Sequence, residues 1–294
     1  MSFYVKNRIN NKSINSLVLL LFLFLVACNN GKKEGWLIGL PMVGTYSSPR
    51  VADLNGDGVL DIIMGAGGRE DHPSDTAVIA LDGATGKVLW TLPGVNQYVG
   101  SAQFKDITND GVPDVFIGGR WGQLAAINGA TGKLLWTFFS QRTGPNPADS
   151  GWYNFTTPQF VPDQDGDALE DLLVANGGNA MAAPFDTARP TGRLLVLSSR
   201  SSTILANVAV PDGKETYMSV VCMPAPDGNI NVLFGTGGET IGGHLYHTTL
   251  KDIMQGDISN AKVLASSATK GFIAPPVYAA PMVREPNAFD RDPV

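Results

Sequence analysis

Asp53-Leu54-Asn55-Gly56-Asp57-Gly58-Val59-Leu60-Asp61 runs straight into Ile62-Ile63-Met64-Gly65, and this stretch decides the fold. Oxygen side chains stand at positions one, three, five and nine, and a backbone carbonyl is available at position seven. That spacing lets one tight loop wrap a single hard cation. The apolar run that follows is short and bounded by glycine, as a buried strand requires.

The pattern recurs. Asp106-Ile107-Thr108-Asn109-Asp110-Gly111-Val112-Pro113-Asp114 precedes Val115-Phe116-Ile117-Gly118. Asp163-Gln164-Asp165-Gly166-Asp167-Ala168-Leu169-Glu170-Asp171 precedes Leu172-Leu173-Val174-Ala175. A fourth, eroded copy at Met223–Asn231 keeps Asp227, Gly228 and Asn231 but lacks oxygen ligands at positions one and three, so no ion is expected there. Paired glycines follow every copy: Gly67-Gly68, Gly118-Gly119, Gly177-Gly178 and Gly237-Gly238.

A second element alternates with the first. Ala80-Leu81-Asp82-Gly83-Ala84-Thr85-Gly86-Lys87-Val88-Leu89-Trp90 matches Ala126-Ile127-Asn128-Gly129-Ala130-Thr131-Gly132-Lys133-Leu134-Leu135-Trp136. Each reads as strand, Gly-rich hairpin, strand. A weaker third copy spans Leu194–Leu205, with Ala206 at the Trp position, and a very weak fourth centres on Leu245-Tyr246-His247. About four strands in roughly 50–60 residues is close to the period of a propeller blade.

The expected fold is therefore all-β: a β-propeller of four-stranded blades, with four blades present and the start of a fifth near Ala274–Tyr278. Four blades and a fragment predict an incomplete propeller, an open arc or a strained four-blade ring. Trp36 precedes the first acidic loop by nearly the interval that separates Trp90 from the second. It reads as the last strand of a blade whose other strands lie elsewhere. One short helix is expected around Leu250 to Met254.

The acidic loops resemble the FG-GAP/VCBS repeats of integrin-α-like propellers. The Gly-Ala-Thr-Gly-Lys-x-Leu-Trp segments resemble the repeats of quinoprotein (PQQ-like) propellers, where the Trp docks one blade on its neighbour. Together they cover nearly all of residues 36–278. The first resemblance implies calcium held by Asp53, Asn55, Asp57 and Asp61. It implies a second ion at Asp106, Thr108, Asp110 and Asp114, and a third at Asp163, Asp165, Asp167 and Asp171. An EF-hand would need Glu at position twelve and a following helix, whereas Met64, Ile117 and Val174 stand there in β-like runs. The bland alternative is that these Asp and Asn residues only make hydrogen-bonded turns.

The N-terminus reads as an address. Lys6, Arg8 and Lys12 precede an apolar run from Leu17 to Val26, which is too short for a stable membrane span. Leu25-Val26-Ala27-Cys28 resembles the bacterial lipobox. That resemblance implies a signal peptide over residues 1–27, lipidation of Cys28, a tether over 28–35 and repeats over 36–294. It implies a cell-envelope protein held to the membrane through lipid. Asn29 lacks the acidic mark of inner-membrane retention, which points to the outer membrane, its facing side left open.

Composition narrows the function. Formal net charge is −6. Without residues 1–27 there are 18 basic and 27 acidic residues, a balance of −9. An acidic chain without a basic stripe argues against a nucleic-acid partner. Cys222 is the one cysteine of the repeat region, and its apolar surroundings predict an inert thiol. PQQ-dependent dehydrogenases often carry an adjacent-cysteine disulfide; here no cysteines are adjacent, so PQQ is not expected. No Gly-x-Ser-x-Gly elbow is present, and His244 and His247 fall on opposite faces of a strand. No catalytic residue is assigned. The expected activity is binding or scaffolding with a protein or glycan ligand, and Trp121, Trp152 and Tyr153 are candidate contacts. A quinoprotein-type oxidoreductase, or its inactive relative, and an envelope-assembly scaffold are the alternatives.

Overall fold

The computed structural model describes residues 35–272, apart from 42, 69–71, 139–153, 179–182, 184–185, 187–188 and 217–219. The chain divides into two units, Met1–Leu37 and Ile38–Val294. Trp36 belongs to the first, and every strand belongs to the second.

That second unit is four successive antiparallel meanders. Blade 1 holds β1 (Arg50–Ala52), β2 (Asp61–Gly65), β3 (Ser74–Leu81) and β4 (Val88–Gly94). Blade 2 holds β5 (Gln103–Lys105), β6 (Asp114–Gly118), β7 (Leu124–Ile127) and β8 (Leu134–Phe138). Blade 3 holds β10 (Gln159–Val161), β11 (Asp171–Gly177), β12 (Arg193–Leu197) and β13 (Ile204–Ala209). It also carries a two-residue β9 (Asn154–Phe155) that pairs with the far end of β11. Blade 4 holds β14 (Val221–Pro224), β15 (Ile230–Gly235), β16 (Gly243–Thr249) and β17 (Lys262–Ser267), with helix α1 (Leu250–Met254) between its last two strands. The fold is an all-β propeller built from four-stranded blades, as the repeat predicts.

The second strands begin on the position-nine residue itself: Asp61, Asp114 and Asp171 open β2, β6 and β11. Their side chains alternate between two interfaces, and both are apolar. In β6, Val115 and Ile117 join the core between blades 1 and 2, while Phe116 joins the core between blades 2 and 3. In β11, Leu172 and Val174 face blade 2, while Leu173 and Ala175 face blade 4. A strand packed on both sides reads as an unbroken apolar run, and these do.

Blade contact dictates the glycine that closes each second strand. A Cβ on Gly65, Gly118, Gly177 or Gly235 would lie 1.9–2.2 Å from a carbonyl oxygen in the lead-in to the next blade, at Tyr98, Thr156, Thr216 and Phe272 respectively. No side chain fits there. Phe272 thus holds the place that Tyr98, Thr156 and Thr216 hold after blades 1 to 3, and its N–H donates to Thr236 O at 3.0 Å. Residues 274–278, where the sequence predicts that start, lie outside the described residues.

The hairpin tryptophans dock as the resemblance implies. Trp90 Nε1 donates to Gly129 O in the blade 2 hairpin at 2.8 Å, and Trp136 Nε1 donates to Ser199 O in blade 3 at 2.8 Å. Blades 1, 2 and 3 bulge at the same register, where Ala80 faces Trp90, Ala126 faces Trp136 and Val196 faces Ala206, whereas blade 4 bulges at another position, where Leu245 faces Ala265. Blade 3 therefore lacks a docking indole. Helix α1 fills that space, with Leu250 and Ile253 buried against Ala206 and Val208. Thr249 caps the helix: its hydroxyl accepts from the Asp252 N–H at 3.2 Å. Among the described residues no helix is long and apolar enough to cross a membrane, and residues 1–34, including Cys28, lie outside them.

Candidate functional site

In an antiparallel meander the loop between first and second strands and the hairpin between third and fourth emerge at one end of the blade. The acidic loops and the Gly-rich hairpins therefore share one face. The Gly-Gly turns and the connections between blades share the other.

The loops fold alike. Asp53 accepts from the N–H groups of Gly56 (2.8 Å) and Gly58 (3.0 Å), Asn55 Oδ1 from Asp57 (2.9 Å), and Asp57 Oδ1 from Val59 (2.7 Å). Asp106 accepts from Asn109 (2.6 Å) and Gly111 (2.9 Å), and Asp110 Oδ1 from Val112 (2.9 Å). Asp163 accepts from Gly166 (2.7 Å) and Ala168 (2.8 Å), Asp165 Oδ1 from Asp167 (3.1 Å), and Asp167 Oδ1 from Leu169 (2.9 Å). Such winding needs left-handed backbone at positions four and six. These are Gly56 and Gly58, Asn109 and Gly111, and Gly166 and Ala168. Ala168, at φ 71°, bears a strain its counterparts avoid.

In blades 1 and 2, position nine ties the loop to the hairpin. Buried Asp61 accepts from the N–H groups of Leu54 (2.8 Å) and Gly83 (2.9 Å). Buried Asp114 accepts from those of Ile107 (2.9 Å), Thr108 (3.0 Å) and Gly129 (3.2 Å). Buried Asp171 accepts from Gln164 (2.7 Å). Burial raises the pKa of Asp114 against the pull of these N–H groups. Burial also raises that of Asp171, and the nearby charges of Asp165 and Asp163 add to it. The Asn128 amide, the largest influence, lowers the pKa of Asp110.

Hard carboxylate and amide oxygens in this arrangement fit a divalent cation. The fit is most explicit in loop 3, where Asp163, Asp165 and Asp171 each bring an oxygen within 4.8 Å of the others. Asp167, the fourth residue the sequence names in that loop, is not in this group. An ion there would neutralise carboxylates that now repel one another. The fourth copy is instead a plain hairpin turn, in which Asp227 accepts from the Asn229 N–H at 3.0 Å. Asn231, at its ninth position, pairs with His247 Nε2 at 2.9 Å, while His244 Nδ1 meets Ser266 Oγ at 2.8 Å. The two histidines are not brought together.

The opposite face carries the remaining candidates. Trp121 lies half-buried in the β6–β7 turn with φ 56°, and its N–H donates to Asn154 Oδ1 at 3.4 Å. Trp152 and Tyr153 lie outside the described residues. Buried amides surround this turn: Gln123 Nε2 donates to Asn96 O (3.0 Å) and Arg120 O (3.1 Å), and Asn176 Nδ2 to Asn154 O (3.3 Å). The same face buries Glu215, whose carboxylate stands 4.0 Å from Arg189 Nη1. Cys222 is half-buried, and this burial pushes its thiol up to about 12, which keeps it protonated at neutral pH.

Sequence reasoning missed these amides, which fall in irregular connections, and it missed Asp82, Asn128 and Arg200 beside the acidic loops. For Asp82 and Asn128 a signal existed, since they hold the same place in the hairpin repeat.

The FG-GAP repeat family model matches residues 45–78, which run from Thr45 through the first acidic loop into β3. No curated protein matches the chain in sequence. Among solved structures it is similar to BBS1N in complex with ARL6DN, at 15% identity and TM-score 0.45 over 79% of this chain and 61% of that one. It is similar to the C-terminal domain of Pseudomonas aeruginosa PilY1, at 18% identity and TM-score 0.46, over 73% and 51%. It is also similar to the quinohemoprotein alcohol dehydrogenase ADHIIG from Pseudomonas putida HK5, at 14% identity and TM-score 0.44, over 79% and 35%. The chain thus spans about three-fifths or less of each of these structures.

Proposed function

We propose that this chain is a calcium-stabilised binding or scaffolding propeller of the bacterial cell envelope, anchored through lipid on Cys28 in the outer membrane. One observation carries the calcium part: three loops of different sequence wind their oxygen side chains into the same turn and tie it to the blade through a buried aspartate. Turn formation alone does not require a buried carboxylate at position nine, whereas a cation site gains from one. The lipid anchor rests on the lipobox-like Leu25–Cys28 and the basic and apolar segments before it.

The ligand is a protein or a glycan, met by the face that carries Trp121 and the blade-to-blade connections. The motive is chemical. The conspicuous acids are committed to loops on the other face, and no acid, base and nucleophile converge among the described residues.

Calcium is tested directly. With site affinities of 10⁻⁴–10⁻³ M and millimolar calcium, each loop should add about 0.4–1.4 kcal/mol by mass action. A chelator should lower the melting temperature, and calcium should restore it better than magnesium. A melting temperature indifferent to chelator would remove the calcium reading.

A further inference from the structure

The three acidic loops differ at one point that their common spacing conceals. In each, a backbone N–H occupies the first oxygen of the position-five carboxylate. The hairpin of the same blade decides what meets the second.

In blade 1, among the described residues, no hairpin side chain donates to Asp57. Asp82 holds that hairpin place, an acid that accepts from Asn55 Nδ2 at 3.4 Å. In blade 2, Asn128 holds the matching place, and its Nδ2 donates to Asp110 Oδ2 at 2.9 Å. In blade 3, Arg200 Nε donates to Asp167 Oδ2 at 2.6 Å, and its Nη2 reaches the Asp167 carbonyl at 3.5 Å. The hairpin thus presents a negative, a neutral and a positive side chain to loops 1, 2 and 3 in turn.

Loop 3 is nonetheless built to receive a cation. Three of its carboxylates converge within 4.8 Å. One of them, Asp171, is fully buried, and its Oδ1 completes no hydrogen bond although the Ser199 N–H lies near. The matching oxygens of Asp61 and Asp114 are met by the N–H groups of Gly83 and Gly129. An unpartnered buried carboxylate oxygen is costly, and a cation is the partner its neighbours suit.

We propose that Arg200 is a resident counter-ion of loop 3, holding Asp167 in the place of a divalent cation's contact, so that this loop fills last and expels Arg200 when it does. The inference rests on the calcium reading above. Loop 1, with Asp82 beside it, is then the tightest site and loop 2 is intermediate. The physical reason is competition: a cation entering loop 3 must break an ion pair and face a like charge, whereas in loop 1 it gains an extra negative neighbour. The pair is partly exposed, with Arg200 at 55% and Asp167 at 22% side-chain exposure, so solvent moderates the penalty. Removing the guanidinium should tighten the weakest site by about three- to tenfold.

The test is calorimetric titration of the full chain with calcium alone. Arg200→Gln should tighten the weakest site by that factor and leave the other two unchanged. Arg200→Lys, which keeps the charge, should leave it weak. Asp82→Asn should loosen the tightest site. Asp167→Asn should remove the weakest site and no other, which keeps the test open if Arg200→Gln does not fold. Calcium binding with a weakest site unmoved or loosened by Arg200→Gln would overturn the role of Arg200 while leaving the calcium reading intact. Absence of calcium binding in both the wild type and Arg200→Gln would overturn the calcium reading, and this inference with it.

Discussion

Replacing Trp90 with phenylalanine removes one atom pair from the joint between blades 1 and 2. Trp90 is only 9% exposed, and its Nε1 donates to Gly129 O at 2.8 Å. The indole lies on Gly132, where a Cβ would come within 2.6 Å of the ring. Phenylalanine refills most of the slot but brings no donor. Gly129 O is then a buried acceptor without a partner, at about 1–3 kcal/mol. The lost part of the ring removes roughly 1 kcal/mol of apolar burial. The expected cost is therefore about 2–4 kcal/mol. Trp136 makes the same bond to Ser199 O, and Ser199 is fully buried, but the indole itself is half-buried and loses less apolar contact. Trp136→Phe should cost about 1–3 kcal/mol, less than Trp90→Phe by the smaller apolar contribution. Urea unfolding of the full chain, followed by circular dichroism, measures both. Hydrogen exchange at β4 and β7 locates the loss. A Trp90→Phe cost no larger than that of Trp136→Phe would refute the argument that a buried joint is what the repeat encodes.

Ala168→Gly should stabilise the chain by about 0.5–1 kcal/mol, because relief of left-handed strain exceeds the added unfolded-state entropy; an unchanged melting temperature would contradict the strain at that position. Gly118→Ala should cost at least about 2 kcal/mol, since its Cβ would lie 2.2 Å from Thr156 O and backbone must move; a wild-type denaturation midpoint would show that blades 2 and 3 do not meet there. Burial raises the Glu215 carboxyl above its ordinary 4.5, with Arg189 opposing and Glu239 adding to the rise. The folded state then holds that proton more tightly than the unfolded chain does, so stability falls as pH rises from 4.5 through the folded-state value. Glu215→Gln should abolish this fall, with a gain at neutral pH that vanishes in acid; a gain equal at both would count against it.

Blade architecture was legible because it is periodic. Acidic loop, apolar run and glycine recur with hairpin and Trp, and each maps onto the same strand position in the blades that carry it. Even the erosion was legible: Ala206 in place of Trp falls on the register position of Trp90 and Trp136. What spacing could not supply was orientation across the blade. The sequence predicts strands that start after each acidic loop, whereas Asp61, Asp114 and Asp171 open the strands themselves and point into the blade. Nor does spacing say that Arg200, 33 residues beyond Asp167, crosses to it while Asn128, 18 residues beyond Asp110, does the same with an amide. Those contacts depend on where a side chain leaves a hairpin. The buried amides near Trp121 escaped for a different reason: connections between blades have no period, so a polar residue there looks like any solvated loop.

The joint between blades 3 and 4 shows what the repeat conserves physically. Blades 1 and 2 each hand an indole to the next hairpin. Blade 3 hands over Ala206, and the space is filled from the other side by Leu250 and Ile253 of α1. That helix sits where blade 4 would otherwise carry the Gly-rich hairpin, in the segment whose likeness to the repeat is weakest. The missing Trp and the missing hairpin therefore meet at one joint. An interior packs to a fixed density, so a small residue on one face requires a larger element on the other. The acidic loop of blade 4 fades in the same blade, and this too follows. With α1 in the hairpin's place, no backbone N–H among the described residues donates to the Asn231 side chain as those of Gly83 and Gly129 do to Asp61 and Asp114, and Asn231 pairs with His247. The wound acidic loop thus goes with a Gly-rich or Ser-rich hairpin in the same blade, and blade 4, which carries α1 in place of the hairpin, carries a plain turn in place of the loop.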